Sequence, residues 1–146
     1  MTHLTRSALL PYPAEAMFDL VNDIEAYPRY MDGCTAATVL YRSDEVIEAR
    51  LELAKAGIRS AFTTRNTLKR PHSIEMQLVD GPFTSFSGGW SFLALNDTAC
   101  KATIDLRFTL SNALLAMAAK SLFGSVADRM VDALVKRAND VYGVRP

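Results

Sequence analysis

Between Cys34 and Leu110 the apolar residues recur at every second position, and this alternation constrains the fold more than any other feature. The clearest example is CKATIDLRFTL, residues 100–110, in which apolar and polar side chains alternate without interruption. Such alternation is typical of antiparallel strands with one buried and one solvated face. Turn residues divide the segment at four places: 55–57, 70–72, 80–82 and 96–97. The pattern predicts a meander of about six strands.

Helical spacing replaces this alternation at both ends of the chain. A first strand is predicted to end at Pro11, with Pro13 as the first residue of a helix and a second helical turn ending before Pro28. A long apolar stripe predicts a C-terminal helix from the N-cap Ser111 to the terminating Gly143. This helix is the element that must cover the apolar face of the sheet. The predicted fold class is α+β, with about seven strands curved around the long helix and two short helices after strand 1.

Length and charge limit the functions open to the chain. Its 146 residues are the size of one domain, so residues 1–146 are predicted to form a single domain. The 16 basic and 16 acidic residues balance, which argues against a DNA-binding protein. No apolar run reaches the roughly 20 residues of a membrane span, and the N-terminus lacks a signal-peptide core. We therefore predict a cytoplasmic protein.

Cysteine and histidine content argues against a metal site or a disulfide. Cys34 and Cys100 are far apart in the sequence and belong to no Cys-x-x-Cys motif. Two distant cysteines in a reducing compartment are typically small buried hydrophobes. With only His3 and His72 available, no metal site is predicted.

The segment LVDGPFTSFSGGWSFLAL, residues 78–95, places large aromatic residues beside two adjacent glycines. In a strand, Phe86, Gly88, Trp90 and Phe92 share one inward face. The facing C-terminal helix is rich in small residues, which leaves space opposite this strand. Either the segment lines an apolar ligand cavity bordered by Gly88, or Trp90 and Phe92 fill that space as ordinary core. If Gly88 borders a cavity, a bulky replacement is predicted to weaken ligand binding more than folding.

A cavity between sheet and helix would be lined by inward-facing apolar side chains. The predicted lining consists of Phe62, Phe83, Phe86, Trp90, Phe92, Ile104, Leu122, Val126 and Met130. Three polar residues, Ser60, Thr64 and Asn66, share the inward phase. They either bond within the fold or orient the polar head of a ligand.

Catalysis is not predicted for this cavity. Arg6 and Asp80 are the titratable residues on inward phases, and both are near strand ends. The sequence shows no carboxylate pair, no Ser-His-Asp set and no nucleophile beside a base. The residues therefore predict a binding site and not an enzyme.

Longer motifs resemble a known family. LVNDIEAYPRYMDGC, KAGIRSAFTTRNTL and LVDGPFTSFSGGWSF, followed by VYG, are similar in order and over nearly the whole chain to the bacterial ribosome association toxins and coenzyme-Q-binding proteins. Both groups belong to the START-like, polyketide cyclase-like superfamily. The resemblance implies a helix-grip fold, in which a curved antiparallel sheet encloses a C-terminal helix and a hydrophobic cavity lies between them.

The resemblance implies more than one activity. In one branch the cavity binds ubiquinone or a related isoprenoid lipid and supports respiration, without a tightly bound cofactor. The retained Tyr27 and Pro28 are then implied as ligand contacts. The chain reads Met-Asp-Gly-Cys at 31–34, where that branch usually reads Leu-Pro-Trp-Cys. An exposed cavity mouth would equally suit transient contact with a membrane surface or a protein partner.

The other branch binds the large (50S) ribosomal subunit and blocks formation of the 70S ribosome. Surface cations that could contact ribosomal phosphates are Arg59, Arg65, Lys69 and Arg70. Because some superfamily members are enzymes, a polyketide cyclase-like activity is a third alternative, disfavoured by the shortage of acid–base groups. The sequence predicts first a non-catalytic carrier of a quinone-like lipid, with ribosome binding as the alternative.

Overall fold

The chain folds as one curved sheet with helices on its inner side, as shown by a computed structural model that describes residues 2–55, 57–110 and 113–143. Before residue 111, side chains are described throughout these ranges except at 55 and 58. From residue 113 onward, only the side chains at 124, 126 and 129–143 are described. The elements in chain order are β1 (Thr2–Leu10), α1 (Ala14–Asn22), a 3₁₀ helix (Ile24–Arg29), β2 (Cys34–Arg42), β3 (Val46–Lys55), β4 (Ile58–Lys69), β5 (Ser73–Asp80), β6 (Phe83–Asn96), β7 (Ala99–Leu110) and α2 (Ala113–Tyr142).

The strands form a seven-stranded antiparallel sheet in the order β1-β7-β6-β5-β4-β3-β2. Because every pair but β1–β7 joins strands adjacent in sequence, the predicted meander is confirmed, and β1 closes one edge beside β7. The inner face of the sheet packs on α1 and α2, as the alternation predicted. The α+β helix-grip architecture is therefore confirmed.

Two adjacent glycines allow β6 to pass very close to both of its neighbours. A Cβ atom at Gly88 would lie 2.1 Å from the carbonyl oxygen of Asp105 in β7, and Gly88 has a φ of +146°. A Cβ atom at Gly89 would lie 2.1 Å from the carbonyl oxygen of Ile74 in β5. Both distances are too short for any side chain. The glycines therefore serve close strand approach in the bent sheet.

The ends of the helices differ in detail from the sequence predictions. Pro13 is the N-cap of α1 and not its first residue. Pro28 lies inside the 3₁₀ helix and does not end it. The hydrogen bonds of this helix run from the Ala26 N–H to the Asp23 carbonyl and from the Tyr30 N–H to the Tyr27 carbonyl, so none of them needs an N–H at position 28. Gly143 follows α2 with a φ of +80° and donates its N–H to the Asn139 carbonyl, as predicted. The predicted N-cap Ser111 lies outside the described residues.

Tyr12 ties the start of the chain to the end of α2. Its side chain is fully buried, and its hydroxyl lies 2.6 Å from both Asn139 Oδ1 and the carbonyl oxygen of Gly143. Its ring packs on that of Tyr142 at 5.6 Å. This contact fixes the C-terminal end of α2 against the segment between β1 and α1.

Tyr12→Phe is expected to destabilise the protein by about 1 kcal/mol, because the hydrogen bond from the Tyr12 hydroxyl to the end of α2 is lost while the ring remains. Urea unfolding followed by circular dichroism measures the change. Tyr41→Phe, at a half-exposed ring on β2, is the control and should change stability by less than about 0.5 kcal/mol. Equal stability of the two variants would contradict the assigned role of Tyr12.

Both cysteines are buried and free, as predicted. Burial raises the pKa of the Cys34 thiol and of the Cys100 thiol. Among the described side chains, no three His, Cys, Asp or Glu residues come close enough together to hold a metal ion. Within the described part of the chain, no helix has the length and apolarity that crossing a membrane requires.

Candidate functional site: an internal cavity and an outer basic row

An apolar cavity lies between the inner face of the sheet and the helices, with a volume of about 70 Å³. A water molecule occupies roughly 30 Å³ of liquid, whereas pockets for drug-sized ligands measure roughly 300–1,000 Å³. The walls must therefore move before a quinone ring can enter. The described lining is formed by Val21, Asn22, Ile24, Tyr27, Ala49, Leu51, Leu53, Phe62, Thr64, Asn66, Ile74, Met76, Phe86, Trp90, Ile104, Leu106, Phe108, Val126 and Met130.

Most of the predicted ligand-binding residues meet at this cavity. Its wall contains Tyr27, Phe62, Phe86, Trp90, Ile104, Val126 and Met130. Three others fall outside the described lining. Phe83 contacts the rings of Phe62 and Phe86 from behind, Phe92 stacks parallel to Trp90 at 6.1 Å, and Pro28 is exposed on the 3₁₀ helix. Leu122 lies outside the described side chains.

Three polar residues line the cavity, Thr64 and Asn66 from β4 and Asn22 from the end of α1. Thr64 and Asn66 are each 5% exposed, and the Thr64 hydroxyl donates to Asn66 Oδ1 at 2.8 Å. Asn22 Oδ1 is buried and has no hydrogen-bond partner in the described structure. A few polar groups in an apolar lining can orient the polar head of an otherwise apolar molecule. Ser60, the third predicted polar residue, is absent from the described lining.

Two possibilities that the sequence left open are not realised at the cavity. Gly88 does not border it, because the space that a side chain would need is filled by the backbone of β7. Arg6 and Asp80 are exposed and do not converge inside. Arg6 lies in the middle of β1 opposite the inward-facing Ile104, but β1 is an edge strand and the Arg6 side chain is exposed. Asp80 is the last residue of β5 and is also exposed.

The described cavity wall offers no group suited to proton transfer at neutral pH. It contains no carboxylate, imidazole, thiol, amine or guanidinium. Its phenol, Tyr27, donates to the carbonyl oxygen of Val21, and burial raises the pKa of Tyr27 well above its usual value. The wall is built for apolar contact and not for acid–base chemistry.

The four cations predicted to contact ribosomes are all exposed at the surface, and three of them are engaged in ion pairs. Arg65 Nη2 is 3.6 Å from Glu48, and Lys69 Nζ is 3.2 Å from Glu75. Arg70 makes two 2.9 Å hydrogen bonds to Asp19. Arg59 is exposed and pairs with no acid in the described structure.

Sequence reasoning missed Arg50, which completes a row of arginines on the outer face. Arg50 on β3 lies opposite Thr63 on β4, and this position is between Arg59 and Arg65 along the strand. We call Arg50, Arg59 and Arg65 the basic row. The acids Glu48 and Glu52 share the face and partly offset its charge. Alternation showed that Arg50 points outward, but only the strand register shows which residues are its neighbours.

The curved sheet, the enclosed C-terminal helix and the cavity between them define the START-like, helix-grip class of proteins. A family model described as polyketide cyclase / dehydrase and lipid transport matches residues 10–135. The chain belongs to this family, and within it to the group of ribosome association toxins and coenzyme Q-binding proteins.

Named relatives come from both branches of that group. The chain is 48% identical over 142 residues to the ribosome association toxin RatA of Pseudomonas aeruginosa, covering 97% of this chain and 99% of the relative. It is 25% identical over 138 residues to the mitochondrial coenzyme Q-binding protein COQ10 of Dictyostelium discoideum, covering 92% and 67%.

A solved structure shows the same architecture. The crystal structure of the Zhui aromatase/cyclase from Streptomyces sp. R1128 matches with a TM-score of 0.83, covering 94% of this chain and 93% of that chain. Sequence identity is 15%. At this identity the likeness establishes the fold alone.

Proposed function

We propose that this protein binds the large subunit of the bacterial ribosome and blocks its association with the small subunit. The proposal rests on one observation: near-complete coverage at 48% identity with a relative named ribosome association toxin. Ribosome binding places the protein in the cytoplasm. This proposal reverses the order of the sequence predictions, in which lipid carriage came first.

The basic row supports the proposal on physical grounds. Arg50, Arg59 and Arg65 lie on the solvated face of β3 and β4, where ribosomal RNA phosphates can reach them. Phosphate contacts supply most of the sequence-independent affinity for nucleic acid. Arg59 and Arg50 are the stronger candidates, because an arginine already paired with a carboxylate loses that contact on binding.

We propose that the protein acts by binding alone and is not an enzyme. Support comes from the described cavity wall, which lacks acids, bases and nucleophiles. A cyclase would need such groups beside its substrate. The structural likeness to an aromatase/cyclase does not supply them.

Co-sedimentation with isolated ribosomal subunits tests the proposal. We expect the protein to pellet with large subunits and not with small ones, and the bound fraction to fall steeply between 50 and 200 mM salt. Binding that is absent, or equal for both subunits, would contradict it.

A second function is favoured by the cavity itself. We propose that the apolar space beside Thr64, Asn66 and Asn22 accepts a ubiquinone-like isoprenoid lipid, a ligand class suggested by the relative named coenzyme Q-binding protein. The small volume means that the wall must open first, and the long side chain of Met130 is suited to such movement.

Trp90 is expected to report this ligand, because it is the single tryptophan of the chain and lines the cavity. Titration with a short-chain ubiquinone should quench its fluorescence in a saturable manner, with half-saturation at roughly 1–10 µM. N-acetyltryptophanamide provides the control for inner-filter loss. Quenching no greater than in that control would contradict lipid binding in the cavity and would not bear on the proposal of ribosome binding.

A further inference from the structure

A second polar site lies outside the cavity, where the 3₁₀ helix meets α2. Three buried side-chain atoms have no hydrogen-bond partner in the described structure: Asn22 Oδ1, Tyr30 Oη and Arg137 Nε. Two of these belong to residues in direct contact, since the guanidinium carbon of Arg137 lies 5.2 Å above the ring centre of Tyr30. Both unpartnered atoms are proton donors. Buried donors normally have partners because leaving them unpaired is costly.

The site is separate from the cavity. Tyr27 forms the boundary, because its ring lines the cavity and meets the Tyr30 ring edge-on at 6.0 Å. Neither Tyr30 nor Arg137 belongs to the described cavity lining. Both residues are only partly buried as a whole, but the two donor atoms themselves are closed to solvent, so a phosphate reaches them only after the Arg137 side chain shifts outward.

The charge at this site favours an anion. Arg137 has no carboxylate within ion-pair distance in the described structure, so its charge is not neutralised by a direct partner. Burial is the main effect that raises the pKa of Tyr30, while Arg137 lowers that pKa by more than Asp23 raises it. The hydroxyl therefore stays protonated and can donate beside the positively charged guanidinium.

We infer that the Tyr30 hydroxyl and the Arg137 guanidinium together bind one phosphate-type oxyanion at the junction of the 3₁₀ helix and α2. The planar guanidinium presents Nε–H and an Nη–H to two oxygens of one group. The Tyr30 hydroxyl supplies a third hydrogen bond. A phosphate offers enough acceptor oxygens for all three donors, which a single neutral carbonyl does not.

Binding of inorganic phosphate to the isolated protein tests the inference without ribosomes, so its failure is distinct from failure of the proposed function. In nitrogen-15 spectra, phosphate should shift the Arg137 Nε–Hε resonance in a saturable manner, at constant ionic strength set with chloride. Arg137→Lys should weaken binding at least tenfold, and Tyr30→Phe about threefold or more. Lys101→Gln, at an exposed cation on β7, is the control and should bind as wild type.

Thermal unfolding separates a ligand site from a purely structural one. Without phosphate, Tyr30→Phe should have an equal or higher Tm, because it removes an unpartnered buried hydroxyl. Phosphate should raise the Tm of wild type and not that of Arg137→Lys. A lower Tm of Tyr30→Phe without phosphate, or the same phosphate shift in all variants, would overturn the inference and indicate a structural water.

Large-subunit co-sedimentation of the same variants then identifies the source of the phosphate. Weakened pelleting of Tyr30→Phe and Arg137→Lys, with Lys101→Gln unchanged, would support ribosomal RNA phosphate as the ligand. Unchanged pelleting together with lost phosphate binding would support a free phosphate-bearing molecule.

Discussion

Gly88→Val is expected to destabilise the protein by roughly 4 kcal/mol or more, which is among the largest effects a single substitution produces. The new Cβ would lie 2.1 Å from the carbonyl oxygen of Asp105 and 2.9 Å from the Cα of Leu106. Both contacts are with backbone, so a rotamer change cannot relieve them. The φ of +146° adds strain for any residue with a side chain.

Thermal and urea unfolding measure this effect, with a Tm lowered by roughly 10–15 °C or no folded protein recovered. Ser87→Val is the matched control, since Ser87 is the preceding residue of β6 and is exposed. It should unfold within about 0.5 kcal/mol of wild type. A Gly88→Val protein of normal stability that loses only ligand binding would restore Gly88 to the cavity and contradict the structure.

The double variant Arg50→Gln/Arg59→Gln is expected to bind large ribosomal subunits roughly 10–100-fold more weakly at 0.1 M salt. Each arginine that contacts a phosphate releases about one counterion, so the slope of log affinity against log salt should fall by about 2. Co-sedimentation over a range of salt concentrations measures both quantities. Folding should be unaffected, because both side chains are exposed.

Arg42→Gln/Lys101→Gln removes the same total charge elsewhere on the surface. Arg42 is at the β2 edge and pairs with Glu25, and Lys101 is on β7. This variant should keep the wild-type slope. If both double variants weaken binding equally, overall charge and not the basic row determines affinity.

The fold could be predicted from the sequence because each element has its own periodicity. Alternation over residues 100–110 predicts β7 with its buried face, and the long apolar stripe predicts α2. What could not be predicted depends on neighbours that are distant in sequence. The alternation could not show that the space at Gly88 is filled by Asp105 of β7, since that depends on register.

The candidate sites were predicted only in part, for the same reason. Inward phase placed Phe62, Trp90 and Ile104 on one wall, because phase alone decides which face a strand residue takes. Ion pairs such as Arg70 with Asp19 and the contact of Tyr30 with Arg137 join residues 51 or more positions apart. No local pattern contains them, so the charge left available for a partner becomes known only from the structure.

The proposed activity of this protein is to keep ribosomal subunits apart. Its most direct test is a sucrose gradient of purified small and large bacterial subunits, mixed under conditions that form 70S ribosomes, with and without the protein. We expect a smaller 70S peak, larger free-subunit peaks and protein that migrates with the large subunit. An unchanged 70S peak, with the protein left at the top of the gradient, would contradict it.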